Sequence, residues 1–147
     1  MEQKNQGVSS ARNTGILNCK YDKVAFIDAD DYWNEDFLSN IKFLIEKYPD
    51  EKVYGTSFII VNGCKSISKK YNKFQFEYSD YGVINNFFKY ELYGVTICAS
   101  SIVISKKVFE DVGMFKVGVA NAEDTDMWCR LSLKYNIAFM NRESVKY

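Results

Sequence analysis

Apolar positions along the chain gather into short runs separated by polar stretches, and the most telling run is Val24-Ala25-Phe26-Ile27, which stops abruptly at Asp28-Ala29-Asp30-Asp31-Tyr32-Trp33. Four consecutive apolar residues rich in branched and aromatic types predict a strand buried on both faces, as in a parallel sheet covered by helices. The acids then mark its carboxyl end, where open α/β sheets place their ligand crevice. An extended chain would send side chains 28 and 30 to the same side, so Asp28 and Asp30 could converge on one hard divalent cation. Aspartates after a strand also serve as turns and helix caps, because they accept hydrogen bonds from nearby backbone N–H groups. Spacing alone leaves both readings open.

Residues 1–7 carry no periodic signal and predict a loop. Ser9 or Ser10 is placed to cap a helix running to about residue 19, with Ala11, Ile16 and Leu17 on its apolar face, although Gly15 lowers its propensity by ~1 kcal/mol. Arg12 and Asn13 fall in its first turns, where anions are favoured; a guanidinium there suits a phosphate, and equally suits plain solvation. Asn34 is placed to cap the clearest helix, residues 35–48, whose Phe37, Leu38, Ile41, Leu44 and Ile45 recur at helical spacing before Pro49 stops it. Residues 53–61 predict a strand, and Asn62-Gly63 a hairpin turn into a second strand over 64–68. The interleaved lysines and aromatics of 69–81 read as a solvated edge or loop rather than a stacking surface. A short helix follows over 84–92, its Phe87, Phe88 and Tyr90, with Tyr93 beyond, packing inward or lining an acceptor pocket. Residues 98–104 predict another strand, and Ser105 caps a helix to about 112 that Gly113 ends. A loop over 116–121 leads to Glu123-Asp124-Thr125-Asp126, acids that open a helix containing Met127, Trp128, Leu131 and Leu133. Acids at a helix start are favoured in any protein. Residues 137–140 predict a last short strand, and the polar end from Asn141 is expected to be loose.

Composition narrows the function. The 147 residues carry 19 basic and 19 acidic side chains, are 47% hydrophobic and have a sequence pI near 6.3, which fits one globular core and argues against a nucleic-acid partner. No apolar run approaches the roughly 18 to 20 residues that span a bilayer, and no signal-peptide core follows Met1, so a soluble cytoplasmic protein is expected. Cys19, Cys64, Cys98 and Cys129 form no CxxC pair and there is no histidine. A zinc site or Cys-His nucleophile is thereby disfavoured, and the cysteines read as small apolar side chains in a reducing compartment. Any general base must be Asp, Glu, Lys, Tyr or a thiolate.

Three separated pieces, residues 5–16 (Asn-Gln-Gly-Val-Ser-Ser-Ala-Arg-Asn-Thr-Gly-Ile), 26–33 and 123–131 (Glu-Asp-Thr-Asp-Met-Trp-Cys-Arg-Leu), resemble in order and spacing the family 2 glycosyltransferases, inverting enzymes of the GT-A fold. The resemblance implies an α/β, Rossmann-like domain over 1–147 with a mixed, mainly parallel sheet and flanking helices. Asp28-Ala29-Asp30 resembles the family's DxD motif, which holds Mn²⁺ or Mg²⁺ on the diphosphate of a nucleotide-sugar. Asp30 is then the foremost metal ligand, Asp28 a ligand or ribose contact, and Asp31 a supporting group. By the same resemblance Asp124 is the base that deprotonates the acceptor hydroxyl, with Glu123 positioning it. Arg12, Asn13 and Arg130 resemble donor-side positions. The implied partners are a nucleotide-sugar donor and a glycan or lipid-linked acceptor, in surface polysaccharide synthesis, with the full-length form at the inner face of the membrane. One departure stands out: the apolar strands with which family members begin do not precede Gln3, so the domain is expected to be incomplete at its N-terminus, and either to be weakly active at best or to fold as a self-associated form. The alternative is a non-catalytic remnant or interaction module that keeps the GT-A core.

Overall fold

The computed structural model describes residues 3–62, 65–68, 80–92 and 97–147. In chain order the elements are α1 (Val8–Asn18), β1 (Lys23–Ala25), β2 (Tyr32–Trp33), α2 (Phe37–Lys47), β3 (Val53–Asn62), β4 (Lys65–Ser68), β5 (Tyr81–Ile84), α3 (Phe87–Glu91), a 3-10 turn (Ala99–Ser101), β6 (Ile102–Ser105), α4 (Lys106–Val112), α5 (Glu123–Ser132) and β7 (Ile137–Lys146). The strands form one mixed sheet in the order β1-β6-β3-β7-β2, with β4 added on β3 and β5 on β7. The α/β class stands, but the expected parallel bias does not. Only β3 and β7 run parallel among the described strands, and every other pairing is antiparallel. Hairpins and edge additions pair antiparallel, whereas a parallel neighbour needs a long crossover.

Alternating side chains of the central strands feed two cores, one on each face of the sheet. Val53, Ile102, Ile104, Ile137 and Phe139 join Phe109 of α4 and Trp128 and Leu131 of α5 on one face. Tyr54, Val103, Ala138 and Met140 meet Phe37, Ile41 and Leu44 of α2 on the other. The apolar stripe read for α2 is therefore core. Its helix begins two residues later than expected, at Phe37, because the Asn34 side chain donates instead to the Glu143 carbonyl of β7 at 2.8 Å.

Several expectations are corrected. β1 is buried on one face only: Val24 and Phe26 lie in the core, but Ala25 is exposed and Ile27 is 52% exposed. Among the described residues β1 pairs with β6 alone, so it is an edge strand rather than a covered central one. α1 starts at Val8, after Gly7 at φ 86, and neither Ser9 nor Ser10 caps it. Ile84 closes a strand instead of opening a helix, and the capping Asn86 accepts from the Lys89 N–H. Residues 99–101 form a 3-10 turn before β6. The hairpin turn at Gly63 and Cys64, the stretch 69–79 and Tyr93 lie outside the described residues, although Asn62 does pair with Lys65 across β3 and β4.

The largest correction concerns the end of the chain. β7 continues through Lys146, with Ser144 and Val145 fully buried, and Tyr147 donates to the Ile59 carbonyl and accepts from Val61 N–H. Its register against β3 jumps from Thr56↔Met140 to Ser57↔Glu143 to Phe58↔Val145. Such an irregularity inserts extra residues on one strand and breaks the period-two pattern that would have betrayed it. The buried Asn40 of α2 donates to Ser144 Oγ at 2.9 Å, fixing the helix to this second half. No helix among the described residues is long and apolar enough to cross a membrane.

Candidate active site

β1 ends at Ala25, and residues 28–31 close a turn in which Asp31 N–H donates to the Asp28 carbonyl at 3.1 Å. The turn, not strand alternation, arranges the three carboxylates. It is propped from below by Ser100, which is fully buried: its hydroxyl accepts from Asp28 N–H at 2.9 Å and its carbonyl from Trp33 Nε1 at 2.7 Å. Asp31 turns inward and is 7% exposed, with Oδ2 lacking a partner. Burial pushes its pKa up; the Ser100 hydroxyl and Arg12 offset part of this, while the charges of Asp28 and Asp30 add to it. Asp30 is exposed at the rim.

Arg12 reaches this turn from α1. Its Nη2 donates to both carboxylate oxygens of Asp28 at 3.0 and 2.9 Å, and Nη1 donates to Glu123 Oε1 at 2.9 Å. The side chain is only 9% exposed and lies over the Phe115 ring, 5.4 Å from its centroid. A solvated arginine is thus ruled out. Its neighbour Asn13 exchanges two hydrogen bonds with the Phe115 backbone, at 2.8 and 3.0 Å, seating the ring that supports Arg12. Asn13→Ala should strand both Phe115 groups and cost about 2 kcal/mol, read as a lowered urea midpoint with an unchanged slope.

α5 starts from Ala122, which holds a left-handed conformation at φ 60, uncommon for a residue with a side chain. Of the acids that follow, Glu123 is held by Arg12, and Asp126 by Lys116 Nζ at 2.6 Å and Arg130 Nε at 2.8 Å. Arg130 also donates to the carbonyls of Val112, Gly113 and Met114, closing the C-terminal end of α4. Among the described residues Asp124 has no cation: its Oδ1 accepts from the N–H and hydroxyl of Thr125. Burial works to raise the Asp126 pKa, but the Lys116 and Arg130 hydrogen bonds and charges bring it below the ordinary carboxylate range. A carboxyl that binds its proton more weakly when folded contributes stability above its unfolded pKa, and that contribution fades as pH falls through the lowered folded value. Asp126→Asn should therefore flatten the loss of stability on acidification below about pH 4, measured by thermal melts across a pH series.

Among the described residues, then, Asp28, Glu123 and Asp126 carry partner cations while Asp30, Asp31 and Asp124 do not. Asp28 and Glu123 share one guanidinium, so the end of β1 and the start of α5 meet. The Tyr147 phenol lies within electrostatic reach of Asp124, Asp31 and Asp28, and its pKa is raised by burial first, then by Cys98 and these carboxylates. No group of three or more His, Cys, Asp or Glu side chains among the described residues is gathered as a ready metal cage. Of the three carboxylates of the turn, Asp28 is paired with Arg12, Asp31 is drawn into the core and Asp30 faces solvent. A cleft of about 580 Å³ opens between α1 and residues 23–29, with Arg12, Gly15 and Asp28 in its walls. Ser100, Phe115 and Tyr147 went unnoticed in the sequence. Nothing local marks a serine in a 3-10 turn or a single aromatic as part of a site assembled from distant segments.

Comparison with known proteins places the family and the fold. Residues 1–113 match the model of the family described as glycosyl transferase family 2, a match that contains the Asp28–Asp31 turn and stops short of Glu123-Asp124. Over 58 residues the chain is 34% identical to the glycosyltransferase GlyA of Streptococcus pneumoniae serotype 4, covering 40% of this chain and 8% of that protein. Its fold resembles that of S. aureus TarS residues 1–349 in complex with UDP-GlcNAc, with a TM-score of 0.75 and 16% identity over 100% of this chain and 40% of that one. The structure of S. aureus TarS without that truncation gives a TM-score of 0.67 with 18% identity, over 93% of this chain and 23% of that one. The chain thus spans well under half of the relatives it resembles. Its mixed sheet with helices on both faces is GT-A-like, and the chain belongs to glycosyl transferase family 2.

Proposed function

We propose that this chain supplies the catalytic part of an inverting glycosyltransferase, which moves a sugar from a nucleoside-diphosphate donor to an acceptor hydroxyl with the help of a divalent cation. The observation that carries this reading is the pattern of neutralisation among the described residues: Asp30 at the β1 turn and Asp124 at the α5 start have no cation there, while Asp28, Glu123 and Asp126 around them do. One carboxylate left without a counter-ion beside a second suits Mg²⁺ or Mn²⁺, which keep waters and take their remaining ligands from substrate phosphates. Asp30 would be the principal ligand, with Asp28 a second ligand or a ribose contact and Asp31 the buried support of the turn. A cation bound there would offset the charge that builds on the departing diphosphate.

Asp124 then acts as base. It accepts the proton of the acceptor hydroxyl as that oxygen attacks the anomeric carbon, the bond to the diphosphate breaks on the opposite side, and the configuration inverts. Asn13 and Phe115 seat the neighbouring wall. Arg130, whose nitrogens are engaged by Asp126 and three carbonyls, is assigned to holding the α4–α5 loop rather than to the diphosphate. The TarS complex with UDP-GlcNAc makes uridine diphosphate sugars the first donors to try, and the family resemblance makes a glycan or lipid-linked alcohol of a surface polysaccharide the first acceptor. The test is release of nucleotide from UDP-GlcNAc, UDP-glucose and GDP-mannose with simple glycoside acceptors, with Mn²⁺ or EDTA, and NMR of the product anomer. Metal-dependent transfer with inversion supports the reading. Transfer with retained configuration contradicts it, and nucleotide binding with no transfer to any acceptor favours a binding module.

A further inference from the structure

We infer that Arg12 is a positioning residue that couples the donor side of the site to its base, acting on Asp124 through Glu123, and is not itself a ligand of the donor. This rests on the glycosyl-transfer reading above. Both terminal nitrogens of the guanidinium are engaged, Nη2 by the two oxygens of Asp28 and Nη1 by Glu123 Oε1. Its remaining nitrogen, Nε, is buried and has no hydrogen-bond partner among the described residues. Phe115 covers the face of the group, and the side chain is 91% buried by the 9% exposure noted above. With three of its five N–H groups committed to carboxylates and the side chain only 9% exposed, Arg12 is disposed to join Asp28 to Glu123 rather than to grip a phosphate.

What it does hold is informative. Glu123 precedes Asp124, and Asp126 follows it by two positions; the first is pinned by Arg12 and the second by Lys116 and Arg130. The helix start, already fixed by the left-handed Ala122, is thereby clamped on both sides of the one acid in its first turn that lacks a cation. The same guanidinium binds the turn that carries Asp30. A single planar fork, able to make parallel hydrogen bonds to two carboxylates, thus sets the distance between the cation-binding turn and the base, a task a lysine point charge could not perform for both at once. Misplacing a catalytic group by about 1 Å can cost on the order of 10²-fold in rate without weakening substrate binding.

The experiment is a double-mutant cycle on Arg12→Lys and Glu123→Gln, reading kcat and the dissociation constant for the nucleotide separately. The expected result is a kcat loss of at least about tenfold for Arg12→Lys with nucleotide affinity changed by less than about threefold, and a double variant no slower than Arg12→Lys alone. A fall in nucleotide affinity that accounts for the whole loss of kcat/KM would overturn the proposal and make Arg12 a donor ligand; independent, multiplicative losses would also overturn it. Should the wild-type chain bind no nucleotide, the glycosyl-transfer reading fails first. The tie is then judged on urea midpoints of the same four proteins: non-additive midpoints uphold the Arg12–Glu123 coupling, and additive ones reject it.

Discussion

Asp124→Asn should fold as the wild type does and lose transfer by a factor on the order of 10² to 10⁴, the usual contribution of a positioned general base. The asparagine keeps the size and an oxygen to accept the two hydrogen bonds from Thr125, the ones the carboxylate makes among the described residues. What disappears is the capacity to take a proton. Nucleotide affinity should be nearly unchanged, since Asp124 touches neither Arg12 nor the 28–31 turn. Circular dichroism and melting temperature would verify the fold, and turnover at saturating donor would verify the role. A variant that keeps more than about a tenth of the activity would remove Asp124 from the mechanism.

Val145→Asp should abolish folding. Val145 is fully buried between Trp33 of β2 and Phe58 of β3, in the half of β7 that lies beyond the register jump. The substitution forfeits about 1.5–3 kcal/mol of apolar burial and adds a carboxylate with no cation, a further cost of several kcal/mol. The sum approaches the whole stability of an ordinary domain, about 5–15 kcal/mol. Val145→Ala gives the graded control, with a loss of about 2 kcal/mol, and both are read from chemical denaturation and the soluble fraction on expression. A folded, cooperatively melting Val145→Asp protein would mean that the second half of β7 does not belong to the core.

That strand also illustrates what a single sequence conceals. α2 was legible because Phe37, Ile41 and Leu44 of its apolar stripe obey the 3.6-residue period and become core, although Leu38 is 61% exposed. β3 was legible because ten consecutive residues are rich in branched and aromatic side chains. β7 was read as four residues because the extra residues around Asn141 and Arg142 put polar side chains out of step just where the strand bends. The acidic turn was recognisable as a site through its company with two other motifs, but the reason given for it, strand alternation, was not the geometry. Local sequence could show that Asp28, Asp30 and Asp124 are acids. It could not show that an arginine sixteen residues before Asp28 and more than a hundred before Glu123 would neutralise one acid of each group, with Asp30 and Asp124 left without a cation among the described residues.

The central claim, that Asp30 carries a cation-dependent nucleotide site, is tested most directly by calorimetric titration of UDP-GlcNAc into the protein with Mn²⁺, without metal, and into Asp30→Ala with Mn²⁺. Asp30 is exposed and makes no ion pair among the described residues, so its removal should leave folding untouched. The account predicts binding by the wild type that needs the metal and is lost, by a factor of ten or more, in Asp30→Ala. Binding of equal strength by both proteins, or binding indifferent to the metal, would contradict it.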